Sequence, residues 1–306
     1  MQRLMTMTAE PTVATGPSRA NLLRGIGFMC LASTLFPVMN GVVQVLSQRY
    51  PSDQIVWLRT AGHLLFVLAL FAPSIGFTRL VATRAPGWQF ARSIVLLAST
   101  FCFFTGVKYL PLAKAASISF TAPFIVALLA IPLLGEKLSL PRLAAVLVGF
   151  IGVLIVIQPG TDVFQLASLY IVASATCYGI YQVLTRRVAG RDLPETSAVY
   201  SALVGTVIMT LIAPWNWEPI LSLGDAGLMA SLGVLGGLGH YCVAKAMTYA
   251  PANIVAPFQY WQMIGSVLIG YLLMGSVPTA ATWLGAAVII AAGLYIGWRE
   301  TREKTA

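Results

Sequence analysis

An internal duplication constrains the fold of this chain more than any other feature. The pattern of residues 101–139 recurs at residues 241–279, and an offset of 140 residues aligns Pro111 with Pro251. A cysteine, a tyrosine and a glycine align in the same way. Each copy has the pattern of an apolar helix, a tight proline turn, a second apolar helix and a short glycine loop. Because the repeat unit is much longer than those of solenoid proteins, the duplicated unit is a whole domain.

The low content of charged residues indicates whether the two halves fold in water or in a membrane. Hydrophobic residues make up 58% of the chain and charged residues only 9%. A soluble domain carries about 25% charged residues, so this chain has too few to cover a surface in water. Its apolar runs are continuous and reach the ~20 residues that a membrane-spanning helix needs. A membrane β-barrel would show short alternating segments instead. We therefore predict an all-α integral membrane protein.

The apolar runs predict ten transmembrane helices. They lie near residues 22–48, 53–72, 87–109, 112–133, 139–158, 163–187, 194–213, 223–249, 251–274 and 279–299. The predicted domains are a first five-helix repeat over 21–158 and a second over 163–299. Residues 1–20 are predicted to be a disordered cytoplasmic tail and residues 300–306 a short one.

The distribution of lysine and arginine predicts the orientation of these helices. Most basic residues fall in connections on one side of the predicted membrane, among them Arg84, Lys137 and Arg191, whereas the other side receives little more than Arg49 and Lys108. Cytoplasmic loops are the ones enriched in basic residues, so both termini are predicted to be cytoplasmic. The formal net charge of +9 is thus a topology signal. Nucleic acid is discarded as a partner.

Duplication and topology together predict a mechanism class. Five helices in each half is an odd number, so the two halves must enter the membrane in opposite orientations. Inverted repeats are a recurring architecture of secondary transporters, in which the cargo binds near the midplane and the halves rock to give alternating access. The prediction is therefore a multi-pass inner-membrane transporter whose partners are a small-molecule cargo and the lipid bilayer. Nothing in the sequence determines its oligomeric state.

Three features also give the chain a family resemblance. Arg59 lies within the second predicted helix, Thr121–Pro123 puts a proline in the fourth, and Gly135–Glu136 ends that helix. On these features the chain, from about residue 21 to residue 299, resembles the EamA type of the drug/metabolite transporter superfamily. Within it the chain is most similar to the YddG-type exporters of aromatic and other amino acids. It departs from the pattern at Ser276, where a second loop glutamate would be expected.

Arg59 and His63 are the first candidates for a functional role. Arg59 is the one basic residue placed well within a predicted helix, and burying it costs about 2.5–3.5 kcal/mol, so it must face protein or water. It could hold a substrate carboxylate, although a structural role bonding helix ends is the favoured interpretation. His63 lies one helical turn further on and could share the same polar seam.

Polar and aromatic side chains within the predicted helices are the candidates for lining the cargo cavity. Their alternative role is hydrogen bonding and packing between helices, which is worth about 0.6 kcal/mol per hydrogen bond in membranes. The glycine-rich run from Gly233 is interpreted as close helix packing. The predicted lining residues are Asn40, Phe101, Thr121, Tyr178, Gln182, His240, Tyr241, Tyr260 and Trp261.

Three prolines inside predicted helices are hinge candidates, because proline breaks the backbone hydrogen-bond ladder. They are Pro37, Pro123 and Pro257. No sequence motif predicts a metal site or a cofactor, and the four cysteines have no CxxC spacing. Every acidic residue lies in a loop, a tail or at a helix end, so only His63 and His240 could carry a proton through the membrane.

These observations lead to one functional prediction and several alternatives. The prediction is a secondary transporter that exports small amino acids, aromatic or otherwise neutral, and related metabolites, as a facilitator or coupled to protons. The nearest alternative is a nucleotide-sugar, phosphate-ester or drug antiporter of the same fold, and a channel is less favoured. A membrane-embedded enzyme is also less favoured, because no nucleophile–base pair or HExxH motif appears. The chain is therefore predicted not to be an enzyme.

Overall fold

The computed structural model describes residues 19–122, 124–125, 128–129, 140–159, 166–188, 191–250 and 255–303. These residues form α-helices and short 3₁₀ helices joined by short connections. In chain order the α-helices are α1 (Arg19–Leu46), α2 (Ser52–Ile75), α3 (Phe77–Val81), α4 (Pro86–Val107), α5 (Leu112–Ser119), α6 (Leu140–Ile157), α7 (Ala167–Val188), α8 (Pro194–Ile212), α9 (Leu223–Tyr249), α10 (Trp261–Met274) and α11 (Ala280–Glu303). The 3₁₀ helices are Ala213–Asn216 and Ala256–Tyr260.

Two of the predicted helices differ from the observed ones at their prolines. The fourth is helical from Leu112 to Ser119 and then tightens into a turn, in which the Thr121 amide donates to the Ile118 carbonyl over 3.1 Å. Ala122, Phe124 and Ile125 are again helical, and Pro123 between them lies outside the described residues. The ninth is split into a 3₁₀ turn that contains position 257 and the α-helix α10. Proline has no amide hydrogen, which explains the local loss of the α-helical ladder.

The two halves of the chain are interleaved rather than side by side. The three most extensive helix–helix contacts all join one half to the other: α1 packs on α9, α4 on α7, and α6 on α11. α2 also packs on α8 and α9. α1 and α7 are the first long helices of their halves, and α4 and α9 are the third. First-to-third contacts therefore occur twice with the halves exchanged, which is the pairing that two halves related by a two-fold axis make.

Helix length and surface character fit a membrane. Within the described residues, six helices are long and apolar enough to cross one, namely α1, α2, α4, α7, α8 and α9, and shorter apolar segments lie at 143–157 and 280–296. On α10, Ile264, Leu268 and Leu272 follow one another at four-residue intervals and are 58%, 54% and 65% exposed. A continuous apolar stripe of this kind would be covered by lipid tails rather than by water.

One end of the bundle is held together around Asp225 at the start of α9. Its carboxylate accepts hydrogen bonds from the Arg49 guanidinium over 3.1 Å and from the Tyr50 hydroxyl over 2.9 Å. Nearby, the Gln44 side chain donates to the Leu110 carbonyl over 2.9 Å. Tyr50 and Leu110 are only 2% and 1% exposed. This end is called here the Asp225 end, and these contacts join α9 to the α1–α2 connection and α1 to the α4–α5 connection.

At the opposite end of the bundle, a second carboxylate joins the two halves. It belongs to Asp192, in the connection between α7 and α8. It accepts hydrogen bonds from the Thr83 hydroxyl (2.5 Å), the Arg84 amide (2.8 Å) and the Gln89 side chain (2.8 Å). Partial burial acts to raise the pKa of the Asp192 carboxyl, but these hydrogen bonds together hold that pKa below its ordinary value. The carboxylate therefore stays charged at neutral pH and ties the α3–α4 connection to the second half.

Candidate functional site

A cavity lies at the centre of the bundle, lined by residues from both halves of the chain. Its walls come from α1, α2, α4, α7 and α9, from α5 and the turn that follows it, and from the 3₁₀ helix Ala256–Tyr260 and the start of α10. Aromatic side chains form much of the wall: Phe36, Phe103, Phe104, Phe120, Tyr178 and Tyr260. Uncharged polar side chains alternate with them, including Ser33, Asn40, Ser99, Ser174, Gln259 and Gln262. Within the part of the chain that the structure describes, no aspartate or glutamate lines this cavity.

Arg59 is the cation of the cavity, and the packing of α2 against α9 sets its position. Its side chain is buried, and its Nη2 donates to His240 Nε2 over 2.8 Å. Its Cζ lies 5.9 Å from the centre of the Phe104 ring. A Cβ added at Gly236 would lie 3.3 Å from Arg59 Nε, so the glycine leaves the room that the guanidinium occupies. Among the described residues, Arg59 has no carboxylate partner.

The contact with Arg59 fixes the tautomer of His240. A guanidinium only donates hydrogen bonds, so His240 Nε2 must be the acceptor and the ring proton must lie on Nδ1. The imidazole is further held by rings on three sides. His63 stacks on it at 5.9 Å between centroids, Phe36 approaches edge-on at 5.2 Å and Tyr181 at 6.3 Å.

Three cavity-lining side chains have a buried nitrogen with no hydrogen-bond partner among the described residues. These atoms are Arg59 Nε, His240 Nδ1 and Gln259 Nε2. All three are donors, because Nδ1 carries the proton of His240 and amide and guanidinium nitrogens carry hydrogens. Leaving a buried donor unpaired costs about 1–3 kcal/mol. The cavity is therefore a place where hydrogen-bond acceptors would be stabilised.

Four of the nine predicted lining residues lie on the cavity: Asn40, Tyr178, His240 and Tyr260. Arg59 lies there too, and His63 stands behind His240 with 1% of its surface exposed. Of the predicted hinges, Pro37 is within α1 and packs against Gly265 of α10.

The other five predicted residues lie elsewhere. Phe101 and Trp261 are 37% and 51% exposed on the outer surface, and the Trp261 indole donates to Thr34 over 3.2 Å. Tyr241 packs on Phe71 with 4.8 Å between ring centroids. Thr121 donates its hydroxyl to the Ile118 carbonyl over 2.8 Å. Gln182 lines a second, smaller chamber.

Arg92 is a buried cation that the sequence did not single out. It is 2% exposed, although it lies in the second turn of α4, where a basic residue near a helix end ordinarily sets the topology. Its guanidinium donates to Gln89 Oε1 (2.8 Å), the Ser197 carbonyl (2.9 Å), the Tyr181 hydroxyl (3.0 Å) and Thr185 Oγ1 (3.2 Å). Gln89, three residues earlier on the same face of α4, is the local partner, and the other three acceptors come from α7 and α8.

The glycine-rich run of α9 serves helix packing, as its sequence indicated. A Cβ added at Gly233 would lie 2.4 Å from the Gly62 carbonyl carbon of α2, and one at Gly237 would lie 2.8 Å from the Phe66 ring. Small residues on both helices allow the backbones to approach this closely. The close approach is what brings Arg59 and His63 of α2 against His240 of α9.

Apolar helices around a central cavity lined by aromatic and uncharged polar side chains are the arrangement expected of a membrane transporter of small molecules. The model of the EamA-like transporter family matches residues 23–158 and again residues 165–298. The chain belongs to this family, and through it to the drug/metabolite transporter superfamily. Proteins of this family with several apolar helices are multi-pass proteins of the bacterial inner membrane.

Individual relatives match along nearly their full length. A riboflavin transporter of Vibrio cholerae is 28% identical over 284 residues, which is 92% of this chain and 95% of the relative. A riboflavin transporter of Rhizobium johnstonii is 30% identical over 304 residues, 96% of this chain and 97% of the relative. An S-adenosylmethionine uptake transporter of Rickettsia conorii is 25% identical over 280 residues, 92% and 94% of the two chains. The relatives are named as transporters rather than enzymes.

A solved structure supports the fold. It is 20% identical to this chain, has a TM-score of 0.65 and covers 92% of this chain and 98% of its own. None of these comparisons distinguishes the amino-acid exporters within the superfamily, so that part of the resemblance remains a prediction.

Proposed function

We propose that this protein is a secondary carrier of a planar aromatic solute rich in hydrogen-bond acceptors, with riboflavin as the first candidate. The observation that carries the proposal is the set of three unpaired donors on one aromatic-walled cavity: Arg59 Nε, His240 Nδ1 and Gln259 Nε2. Two relatives are named riboflavin transporters. The flavin ring offers carbonyl oxygens and ring nitrogens as acceptors on a flat apolar body.

The charge of the cavity favours neutral or anionic solutes. Arg59 has no carboxylate partner among the described residues, and no acidic side chain there lines the cavity. A cationic cargo would therefore meet a like charge in a region of low dielectric, where repulsion is strong. S-adenosylmethionine, the cargo named for one relative, carries a sulfonium cation. We expect it to bind this cavity less well than riboflavin does.

An aromatic amino acid is the second candidate. Arg59 offers a partner for the carboxylate, and the aromatic wall suits the side chain. The ammonium group, however, has no acidic partner among the described lining residues and would rely on Asn40 and other neutral acceptors. Amino-acid export therefore stays a prediction. A nucleotide sugar or phosphate ester would require several cations, whereas Arg59 is the one that the described residues place on this cavity.

The transport cycle that we propose is alternating access between two inverted halves with both termini in the cytoplasm. The reciprocal contacts of α1 with α9 and of α4 with α7 support a two-fold relation between halves. Domain limits of 21–158 and 163–299 fit the two family matches at 23–158 and 165–298. His63 and His240 are the groups that would take part if transport is coupled to protons.

A riboflavin titration of purified protein in nanodiscs, followed by quenching of flavin fluorescence, tests the proposal. Wild-type protein should bind saturably, and Gln259→Leu should weaken binding roughly 3- to 10-fold, since one neutral hydrogen bond contributes about 0.5–1.5 kcal/mol. Gln48→Leu is the matched control, because Gln48 is exposed near the Asp225 end and donates to the Lys108 carbonyl. Equal binding by both variants would remove Gln259 from the site. Absence of binding by the wild type would contradict the proposal that riboflavin is the cargo.

A further inference from the structure

A second chamber adjoins the central cavity and shares His240 and Val243 with it as lining residues. It is a small space between α4, α7, α8 and α9. Its polar lining comprises Arg92, Tyr181, Gln182, Thr185, Ser197 and Ser201. His240 thus stands between the two spaces, held in place by Arg59.

The second chamber lies toward the Asp192 end of the bundle. Along α7 the lining moves from Tyr178 in the central cavity to Gln182 and Thr185 in the second chamber. Seven residues of α-helix advance about 10 Å along the axis. Along α9 it moves in the same direction, from His240 to Met247. The second chamber therefore adjoins the central cavity on the side nearer the Asp192 end.

The chamber also offers unused hydrogen-bond donors. Arg92 makes four hydrogen bonds to described residues, all to neutral oxygen acceptors, and a guanidinium has five N–H groups. Tyr181 accepts one of these bonds, so its own hydroxyl proton is left to donate. Gln182 makes no hydrogen bond to the described residues. No aspartate or glutamate among the described lining residues neutralises Arg92.

From this geometry we propose that the second chamber is a binding station for the oxygen-rich end of the cargo on its route between the central cavity and the Asp192 end. Arg92 holds the chamber's positive charge, and Gln182 with the Tyr181 hydroxyl supplies the remaining donors. His240 separates this station from the central cavity. The proposal rests on the proposed function, because it takes the same acceptor-rich cargo, such as riboflavin with its hydroxylated side chain.

Protection of introduced cysteines tests the two sites separately. In a variant with all four native cysteines replaced, and shown to bind riboflavin, single cysteines are placed at Ser33 (Ser33→Cys, central cavity) and at Gln182 (Gln182→Cys, second chamber). Thr176→Cys is the control on the same helix, because Thr176 is part-buried but lines neither space and bonds the Val172 carbonyl. Each is labelled with a small water-soluble maleimide, with and without saturating riboflavin.

We expect riboflavin to slow labelling several-fold at both Ser33→Cys and Gln182→Cys and to leave Thr176→Cys unchanged. Protection at Ser33→Cys alone would overturn the second station while leaving the central site intact. Protection at neither position, in protein shown to bind riboflavin, would place the bound riboflavin outside both spaces and reject the central site and the station together. Should Gln182→Cys fail to fold, Met247→Cys reports on the same chamber from α9.

Discussion

Replacing Arg59 with methionine is expected to abolish riboflavin transport and to weaken riboflavin binding by about 10- to 100-fold. Hydrogen bonds from a charged donor contribute about 1.5–3 kcal/mol, and each 1.4 kcal/mol is a factor of ten in affinity. Methionine keeps a similar length and apolar stem, so the cavity wall stays filled. The substitution also removes the bond to His240 Nε2, which fixes the donor at His240 Nδ1. Two of the three unpaired donors are therefore affected by one change.

Two further variants make the result interpretable. Arg79→Met also removes a positive charge, but from an exposed position on α3, and it should leave binding and transport unchanged. Arg59→Lys keeps the charge and loses the planar fork of donors, so it should restore only part of the affinity. If folded Arg59→Met protein bound riboflavin as tightly as the wild type, Arg59 would have a structural role only.

Gly233→Val is expected to destabilise the protein more than any other single change on α9. Even the Cβ of alanine would lie 2.4 Å from the Gly62 carbonyl carbon and 2.8 Å from the His63 amide nitrogen, and backbone atoms cannot move aside as a side chain can. Forcing extra atoms into a packed interface costs about 1–3 kcal/mol or more. At ~2–4 °C per kcal/mol, thermal unfolding in detergent should shift down by roughly 5–10 °C.

The control for this prediction lies on the same helix. A Cβ added at Gly227 meets no atom within 4 Å, so Gly227→Val changes the helix propensity by the same amount without the clash. Its unfolding temperature should stay within a few degrees of the wild type. Equal losses of stability in both variants would mean that helix propensity, and not the contact between α2 and α9, explains the effect of Gly233→Val.

The sequence predicted the class of fold because that class depends on composition, periodicity and duplication. Low charge requires a membrane, the apolar runs require helices, and an odd number of helices per half predicts inversion. The fourth and ninth helices were predicted to be continuous over 112–133 and 251–274, whereas the structure shows a turn after Ser119 and a 3₁₀ helix at Ala256–Tyr260. What the sequence could not provide is which helices of the two halves meet, since the contact of α1 with α9 joins parts of the chain about 200 residues apart.

The candidate site was predicted to the right helical turns but not always to the right helix face. Phe101, Tyr241 and Trp261 were proposed to line the cavity, whereas their near neighbours Phe103, Phe104, His240 and Tyr260 do. One residue along an α-helix rotates a side chain by about 100°. The sequence of a soluble helix shows its buried face, because only that face is apolar. A membrane helix is also apolar on the side that contacts lipid, so its sequence does not show which face points toward the cavity.

Arg92 shows a second limit of the same kind. Basic residues near helix ends usually define topology, and Arg92 lies within the second turn of α4. Its burial depends on acceptors from α7 and α8, namely Tyr181, Thr185 and the Ser197 carbonyl. Those partners lie about 90–105 residues away in sequence, and no local pattern brings them together.

Riboflavin counterflow in proteoliposomes tests the central claim most directly. Vesicles loaded with unlabelled riboflavin and diluted into a trace of labelled riboflavin should accumulate the label transiently and saturably. The same measurement with labelled phenylalanine and tryptophan tests the amino-acid prediction. Repeating it with and without a pH gradient distinguishes proton-coupled transport from facilitated diffusion. The account predicts saturable riboflavin exchange that Arg59→Met abolishes and Arg79→Met retains. Exchange of amino acids but not of riboflavin, by protein shown to be folded in the vesicles, would contradict it.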